Sequence, residues 1–207
     1  MEELHEECGV FGAYAGKPEN LSSMAYYALY ALQHRGQESC GIVVSDDGVF
    51  TSHKDLGTVS EVFTREELRR FPLGTMAVGH VRYGTTGGNN QANSQPVVVN
   101  HMKGKLALAH NGNLSNAYEL RTRLELGGAI FHGTSDTEII AYIITQQRLK
   151  TPSIEQAVCR AMDQLDGAYS LVMMSAAKLI AARDPRGFRP LCYGVTRDGT
   201  YVVASES

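Results

Sequence analysis

Apolar residues in this chain alternate between two periods. Gly9-Val10-Phe11-Gly12, directly after Cys8, reads as a first strand. Met24, Tyr27, Ala28, Ala31 and Leu32 then recur at helical spacing, with Asn20 or Ser22 to cap the helix and Gly36 to stop it. Ile42-Val43-Val44, Asp46-Asp47-Gly48 and Val49-Phe50 predict a hairpin. Thr64 and Glu67 form a capping box for a short helix that ends before Pro72. Thr75 to Arg82 is a mostly apolar strand, and residues 84–96, rich in Gly, Asn and Gln, read as a loop. Leu106 to His110 is another strand, running into the turn signal Asn111-Gly112-Asn113.

Three helices are predicted next. Ala117, Leu120 and Leu124 line the first, which Gly127-Gly128 terminates; Ser135 with Glu138 caps the second, over Ile140, Ile143 and Ile144. Ser153 with Gln156 caps the third, whose Ile154, Ala157, Val158, Ala161, Met162 and Leu165 form one apolar stripe. From Ala168 onward four short strands are separated by turns at Ala176-Ala177, Arg186-Gly187 and Asp198-Gly199. Helices are interleaved with hairpins and do not alternate strictly with strands. That pattern predicts an α+β fold with antiparallel sheets.

Composition narrows the classes. With 207 residues, 43% hydrophobic and 20% charged, the chain can bury one sizeable core. A net charge of -3 without a basic patch argues against nucleic acid, and no apolar run is long enough to span a bilayer. The acidic start Met-Glu-Glu-Leu-His-Glu-Glu has no apolar segment of the secretory kind. Cys8, Cys40, Cys159 and Cys192 lie far apart with no C-x-x-C pair, which suits reduced cytosolic thiols. His80, His101 and His110 lack metal-site spacing, and the zinc-protease, phosphate-loop and nucleophile-elbow motifs are absent.

Cys8 supports two readings. A free cysteine at the head of a strand is commonly a buried core thiol. It is also a latent nucleophile: removal of residues 1–7 would leave an α-amine on Cys8, titrating near ~8 and able to take the proton of its own thiol. Arg82, at the end of a buried-looking strand with Tyr83 and Thr85, is either half of a structural ion pair or a fork for a substrate carboxylate. Asn111 and Gly112 are either a plain turn or the side-chain amide and backbone N–H of an oxyanion hole. Asp136 in the first turn of a helix compensates the dipole or receives an ammonium group. Arg35 suits a helix C-terminus on electrostatic grounds alone.

Together the segments Glu7-Cys8-Gly9-Val10-Phe11-Gly12, Leu32-Gln33-His34-Arg35-Gly36-Gln37, Gly79-His80-Val81-Arg82-Tyr83, Ala109-His110-Asn111-Gly112-Asn113-Leu114 and Thr134-Ser135-Asp136-Thr137-Glu138 resemble the glutaminase domain of the class II, N-terminal-nucleophile glutamine amidotransferases. The run Asp184-Pro185-Arg186-Gly187-Phe188-Arg189-Pro190-Leu191 adds to the likeness, which covers essentially the whole chain. The resemblance implies a four-layer αββα sandwich with two mainly antiparallel sheets. It implies that residues 1–7 are a propeptide and residues 8–207 the glutaminase domain of a longer chain with a C-terminal phosphoribosyltransferase domain. Cys8 would attack the side-chain amide of L-glutamine, and Asn111 and Gly112 would hold the oxyanion. Arg82 and Thr85 would bind the α-carboxylate of glutamine and Asp136 its α-ammonium, with Arg35 and Tyr83 in support. The ammonia would serve phosphoribosylamine synthesis from phosphoribosyl pyrophosphate, the first step of de novo purine biosynthesis.

By the same resemblance the domain itself needs no cofactor. Mg²⁺ and an iron–sulfur cluster would belong to the full-length enzyme, a cytoplasmic homo-oligomer with no nucleic-acid or membrane partner. Many relatives begin at Met-Cys, whereas seven residues precede Cys8 here; Gly84 stands where relatives often carry a bulkier residue; and no phosphoribosyl-binding segment is visible. Two other readings remain: the same glutaminase serving another acceptor, such as a sugar phosphate, and a non-catalytic module that never exposes Cys8.

Overall fold

The structure, a computed structural model, describes residues 8–84 and 90–207. The first part of the chain forms β1 (Gly9–Glu19), α1 (Leu21–Ala31), β2 (Ser39–Asp46), β3 (Val49–Leu56), α2 (Val59–Val62), α3 (Arg65–Arg69) and β4 (Gly74–Arg82). Next come β5 (Val97–His101), β6 (Gly104–Leu114), α4 (Ala117–Leu126), α5 (Asp136–Lys150) and α6 (Ile154–Met162). β7 (Gly167–Ser175), β8 (Leu179–Arg183), β9 (Cys192–Val195) and β10 (Tyr201–Ala204) complete the described elements. Six strands pair in the order β3-β2-β4-β1-β10-β9 and four in the order β5-β6-β7-β8, with every pairing antiparallel.

Strand alternation explains how the two sheets stack. On β1 and β4, Phe11, Ala13, Ala77 and Val81 face helices α1 and α2 and pack with Leu21, Ala25, Leu29, Val59 and Val62. Val10, Met76 and Val78, of the opposite parity, meet Ala107, Ala109, Val172 and Met174 of the second sheet. The other face of that sheet, with Leu106, Leu108, Leu171 and Met173, is covered by Leu120, Ile140, Ile143, Ile144, Ala157 and Val158 of α4, α5 and α6. The result is three apolar layers between four layers of structure: the αββα sandwich expected above. Burying each large aliphatic side chain stabilises the fold by roughly 1.5–3 kcal/mol.

Several local expectations hold. Asn20 caps α1, Thr64 caps α3 and Ser153 caps α6, each accepting a hydrogen bond from a backbone N–H in the first turn. Asp47 and Gly48 turn β2 into β3 with φ of 45° and 79°, as a two-residue hairpin requires. Others are corrected. Asn111-Gly112-Asn113 is not a turn: β6 runs through it, pairing with β7 as far as Leu114 opposite Gly167. Gly112 makes this possible with φ of 135°, where a Cβ would sit 2.0 Å from the Ala168 carbonyl oxygen. Ser135 caps α5 through the Thr137 N–H, but Glu138 does not close a capping box; its carboxylate accepts from the N–H groups of His132 and Gly133. Thr64 likewise makes only its own half of the expected box, the Glu67 carboxylate turning to Arg70 and His53, and a full capping box sits instead at Thr58 and Glu61 ahead of α2, a helix the periodicity did not reveal. No helix among the described residues is long and apolar enough to cross a membrane.

Candidate active site

Alternation brings the candidate residues to one layer. Val10, Val78 and Ala109 face the space between the sheets. Cys8, His80, Arg82 and Asn111 share their parity and lie toward the same end of β1, β4 and β6. Cys8, half-buried just ahead of β1, is held by its neighbours' backbone. The Tyr83 N–H donates to its Sγ at 3.4 Å, and the thiol lies 3.8 Å from the Tyr83 carbonyl oxygen. Arg35, from a 3-10 turn over residues 33–35, donates from Nε to the Cys8 carbonyl at 3.2 Å and pairs with Glu206 at 2.7 Å. Burial pushes the Cys8 thiol above its ordinary value; the Tyr83 hydrogen bond and the Arg82 guanidinium pull the other way, and Asp136 adds to the rise. The Cys8 nitrogen is bonded to Glu7 in this sequence, so the chain with residues 1–7 attached has no α-amine there.

Asn111 is fully buried, and among the described residues neither its Nδ2 nor its Oδ1 has a hydrogen-bond partner. Leaving such an amide unpaired costs roughly 1–3 kcal/mol, so it demands an explanation. The backbone around it supplies a context. β5 pairs with β6 only up to Val97 opposite Leu108, so beyond that point one edge of β6 has no strand beside it. The N–H of His110 on that edge is capped by Gln95 Oε1 at 2.8 Å, and the N–H of Leu114 by Asp136 Oδ2 at 3.0 Å. Gly112 lies between them, two residues from each. Opposite it, the Tyr169 backbone turns away toward Asp184, whose N–H donates to the Tyr169 carbonyl at 2.9 Å. Alternation therefore directs the Gly112 N–H to the open edge, beside the unpaired Asn111 amide.

Arg82 is buried and its guanidinium meets the Glu38 carboxylate. The ion-pair alternative is thus present in the fold, and any anionic substrate would share the guanidinium with Glu38. Asp136 opens α5 at the end of the loop that follows α4. Its Oδ1 lies 3.4 Å from His110 Nδ1. Burial works against its charge, but His110 and the N–H groups of Leu114 and Thr137 outweigh it and hold the carboxyl below its usual range. Asp136 is therefore an anion at neutral pH. Tyr83 contributes its backbone to Cys8, while its ring is partly exposed. Thr85 and the segment 1–7 lie outside the described residues.

Other residues, to which the sequence had given no role in the site, shape this region. Asn93 Oδ1 accepts from the N–H groups of Thr134 and Ser135 and so sets the approach to Asp136. Gln95 and His80 both reach His110. Asp184, in the run quoted earlier, is buried and accepts from the N–H groups of Tyr169, Arg186 and Phe188, bracing the strand opposite Gly112. A cleft of about 530 Å³ between β5 and α5 is lined by Lys54, Asn93, Ser135, Glu138 and Tyr142 among others, but by none of Cys8, Arg82, Asn111 or Asp136. No cluster of three or more His, Cys, Asp or Glu among the described residues could hold a metal ion.

A cysteine at the head of a strand, an unpaired amide beside a strand-edge N–H, and flanking charges of both signs are thus gathered at one end of the two sheets. Residues 80–207 match the glutamine amidotransferase domain, and the chain belongs to that family. Among individual relatives it is 44% identical over 199 residues to amidophosphoribosyltransferase of Methanocaldococcus jannaschii, covering 96% of this chain and 42% of the relative. Amidophosphoribosyltransferase 3, chloroplastic, of Arabidopsis thaliana is 47% identical, covering 100% of this chain and 38% of the relative. A solved structure described as the allosteric regulatory enzyme of purine biosynthesis superposes with a TM-score of 0.88 at 44% identity, covering 96% of this chain and 42% of that one. The chain thus spans about two fifths of the length of the relatives it matches.

Proposed function

We propose that this chain is the glutaminase unit of an amidophosphoribosyltransferase, hydrolysing the side-chain amide of glutamine with Cys8 as an N-terminal nucleophile. The observation that carries the reading is Asn111: a fully buried amide with both polar atoms unpaired, beside the Gly112 N–H on the open edge of β6. A donor kept unpaired in a protein interior is preorganised for charge that appears only during reaction.

The steps follow from the groups present. Removal of residues 1–7 turns the Cys8 amide nitrogen into an amine, which takes the thiol proton. Sγ attacks the amide carbon of glutamine, and the carbonyl oxygen becomes an oxyanion facing Asn111 Nδ2 and the Gly112 N–H. The amine returns its proton to the leaving nitrogen, ammonia departs, and a thioester remains. Water, activated by the same amine, hydrolyses the thioester to glutamate. Arg82 and Thr85 bind the α-carboxylate of glutamine, and Asp136 its α-ammonium. Arg35 holds the Cys8 carbonyl and so fixes the backbone from which Sγ attacks.

The acceptor, phosphoribosyl pyrophosphate, belongs to the same proposal. It is supported by the names of the relatives and by residues 184–191, and it needs the part of the relatives this chain does not span. Mg²⁺, an iron–sulfur cluster and a homo-oligomeric assembly go with that larger protein, and no step above runs through them. The test is intact mass and glutaminase assay together. A mature form starting at Cys8 should release glutamate and ammonia in equal amounts, and a homogeneous form still starting at Met1 should release neither. Equal activity in both forms would remove the need for a free amine.

A further inference from the structure

We infer that His80 is a positioning residue for this hydrolysis: its imidazole replaces an absent β-strand and fixes the Asn111–Gly112 backbone against the sheet that carries Cys8. The inference rests on the glutaminase reading above and adds a residue to it.

The need arises where β5 stops. His110 is the first residue of its edge alternation beyond the last β5 pair, so its N–H and C=O face no strand. Both are nonetheless paired. Gln95 Oε1 accepts from the N–H at 2.8 Å, and His80 Nε2–H donates to the carbonyl at 3.0 Å. That carbonyl belongs to the peptide group shared with Asn111, so the bond from His80 governs the tilt of the plane on which the Asn111 side chain is hung.

His80 is well placed for this work. It is fully buried in β4, paired on one side to Val10 of β1 and on the other to Gly41 of β2. Cys8 lies two residues before Val10, and Arg82 two residues after His80. One hydrogen bond thus joins the sheet carrying the nucleophile and the guanidinium to the sheet carrying the oxyanion donors. Burial, with His110, Arg82 and Lys54 nearby, keeps the ring neutral by pushing its pKa down to about 3. Because Nε2 donates, Nδ1 carries the lone pair, and among the described residues it has no partner. The ring therefore acts as a single-donor strut. It neither moves a proton nor touches substrate in the scheme above.

The experiment uses protein starting at Cys8. His80→Leu removes the donor while keeping apolar bulk, and His80→Gln keeps an N–H at similar reach. His80→Leu should lower kcat about 10²-fold, the scale of a misplacement near 1 Å, with KM for glutamine within about 3-fold. His80→Gln should recover most of the loss. The rate of Cys8 alkylation by iodoacetamide, which needs no oxyanion hole, should be unchanged in both. The inference is overturned if His80→Leu keeps wild-type kcat, if KM rises while kcat holds, or if His80→Gln is as impaired as His80→Leu. If His80→Leu does not fold, Gln95→Leu removes the other cap on His110 and should give the same kcat-selective loss; an unchanged kcat there counts against the inference. An inactive processed wild type would overturn the glutaminase reading and this inference with it, whereas an active wild type matched by His80→Leu would sink His80 alone.

Discussion

The two halves of β6 are built on opposite principles. From Leu106 to Leu108 the strand has a neighbour on each side, β5 and β7, and its side chains fill two apolar layers. From His110 to Leu114 it keeps only β7, and its other edge is met by the side chains of Gln95, His80 and Asp136. The first half is held by strand pairing and burial. In the second, three polar side chains do what a strand would do, and between them they leave a backbone N–H facing outward. A continuous sheet would have consumed that donor, so the loss of β5 is what leaves it open.

If that contrast is right, substitutions in the two halves should separate activity from stability. The largest effect is expected in the open half. Asn111→Ala should cut kcat for glutamine by about 10²–10³, or ~3–4 kcal/mol of transition-state stabilisation, with little change in KM. A rise in KM at constant kcat would mark Asn111 as a ground-state contact. In the paired half, Leu108→Ala should cost about 2–5 kcal/mol of stability in urea denaturation and leave kcat of the folded protein unchanged. A kcat loss as deep as that of Asn111→Ala would erase the distinction.

Smaller effects sharpen it. His80 binds a proton below about 6.5 when unfolded but only near about 3 when folded, because burial and the charges of Arg82, Lys54 and His110 oppose its charge. The unfolded state holds more protons between these values, so stability must fall as pH drops through that window. The slope from this residue is on the order of 1.4 kcal/mol per pH unit. His80→Gln should lack that slope, and denaturation curves at pH 7 and pH 5 for both proteins would show it; parallel losses would place the acid sensitivity elsewhere. The smallest change is expected at Tyr169, opposite Gly112, whose hydroxyl is buried without a partner among the described residues. Tyr169→Phe should leave stability level or raise it by about 1 kcal/mol, and a clear loss would reveal a partner for the hydroxyl.

The same contrast explains what could be read in advance. The helices and hairpins are periodic over many residues, so the α+β class with antiparallel sheets and most of the caps were legible; the αββα layering followed from the resemblance. That β6 runs on through Asn111-Gly112 was not legible, because the local signal there is that of a turn, while the pairing with Tyr169 and Ser170 comes from residues far along the chain. Arg82 was legible as a buried cation in need of an anion. That Glu38 supplies one depends on β2 lying beside β4, which no local pattern states. His80 and Gln95 were invisible as site residues for the same reason: their task exists only because β5 ends where it does. Asp184 stood in a motif, but its grip on three backbone N–H groups appears only in the folded loop.

The clamp on Cys8 has a consequence for biosynthesis. Glu206 holds Arg35 and Arg35 holds the Cys8 carbonyl, while Ser205 Oγ accepts from the Val10 N–H, a contact spanning 195 residues. A ribosome makes Cys8 well before the residues that clamp it. At roughly 5–20 residues per second the thiol waits on the order of ten seconds or more before its surroundings can close. During that interval it has the character of an ordinary cysteine on an unfinished chain. The contacts that hold Cys8 are thus completed only once the segment carrying Ser205 and Glu206 has been made.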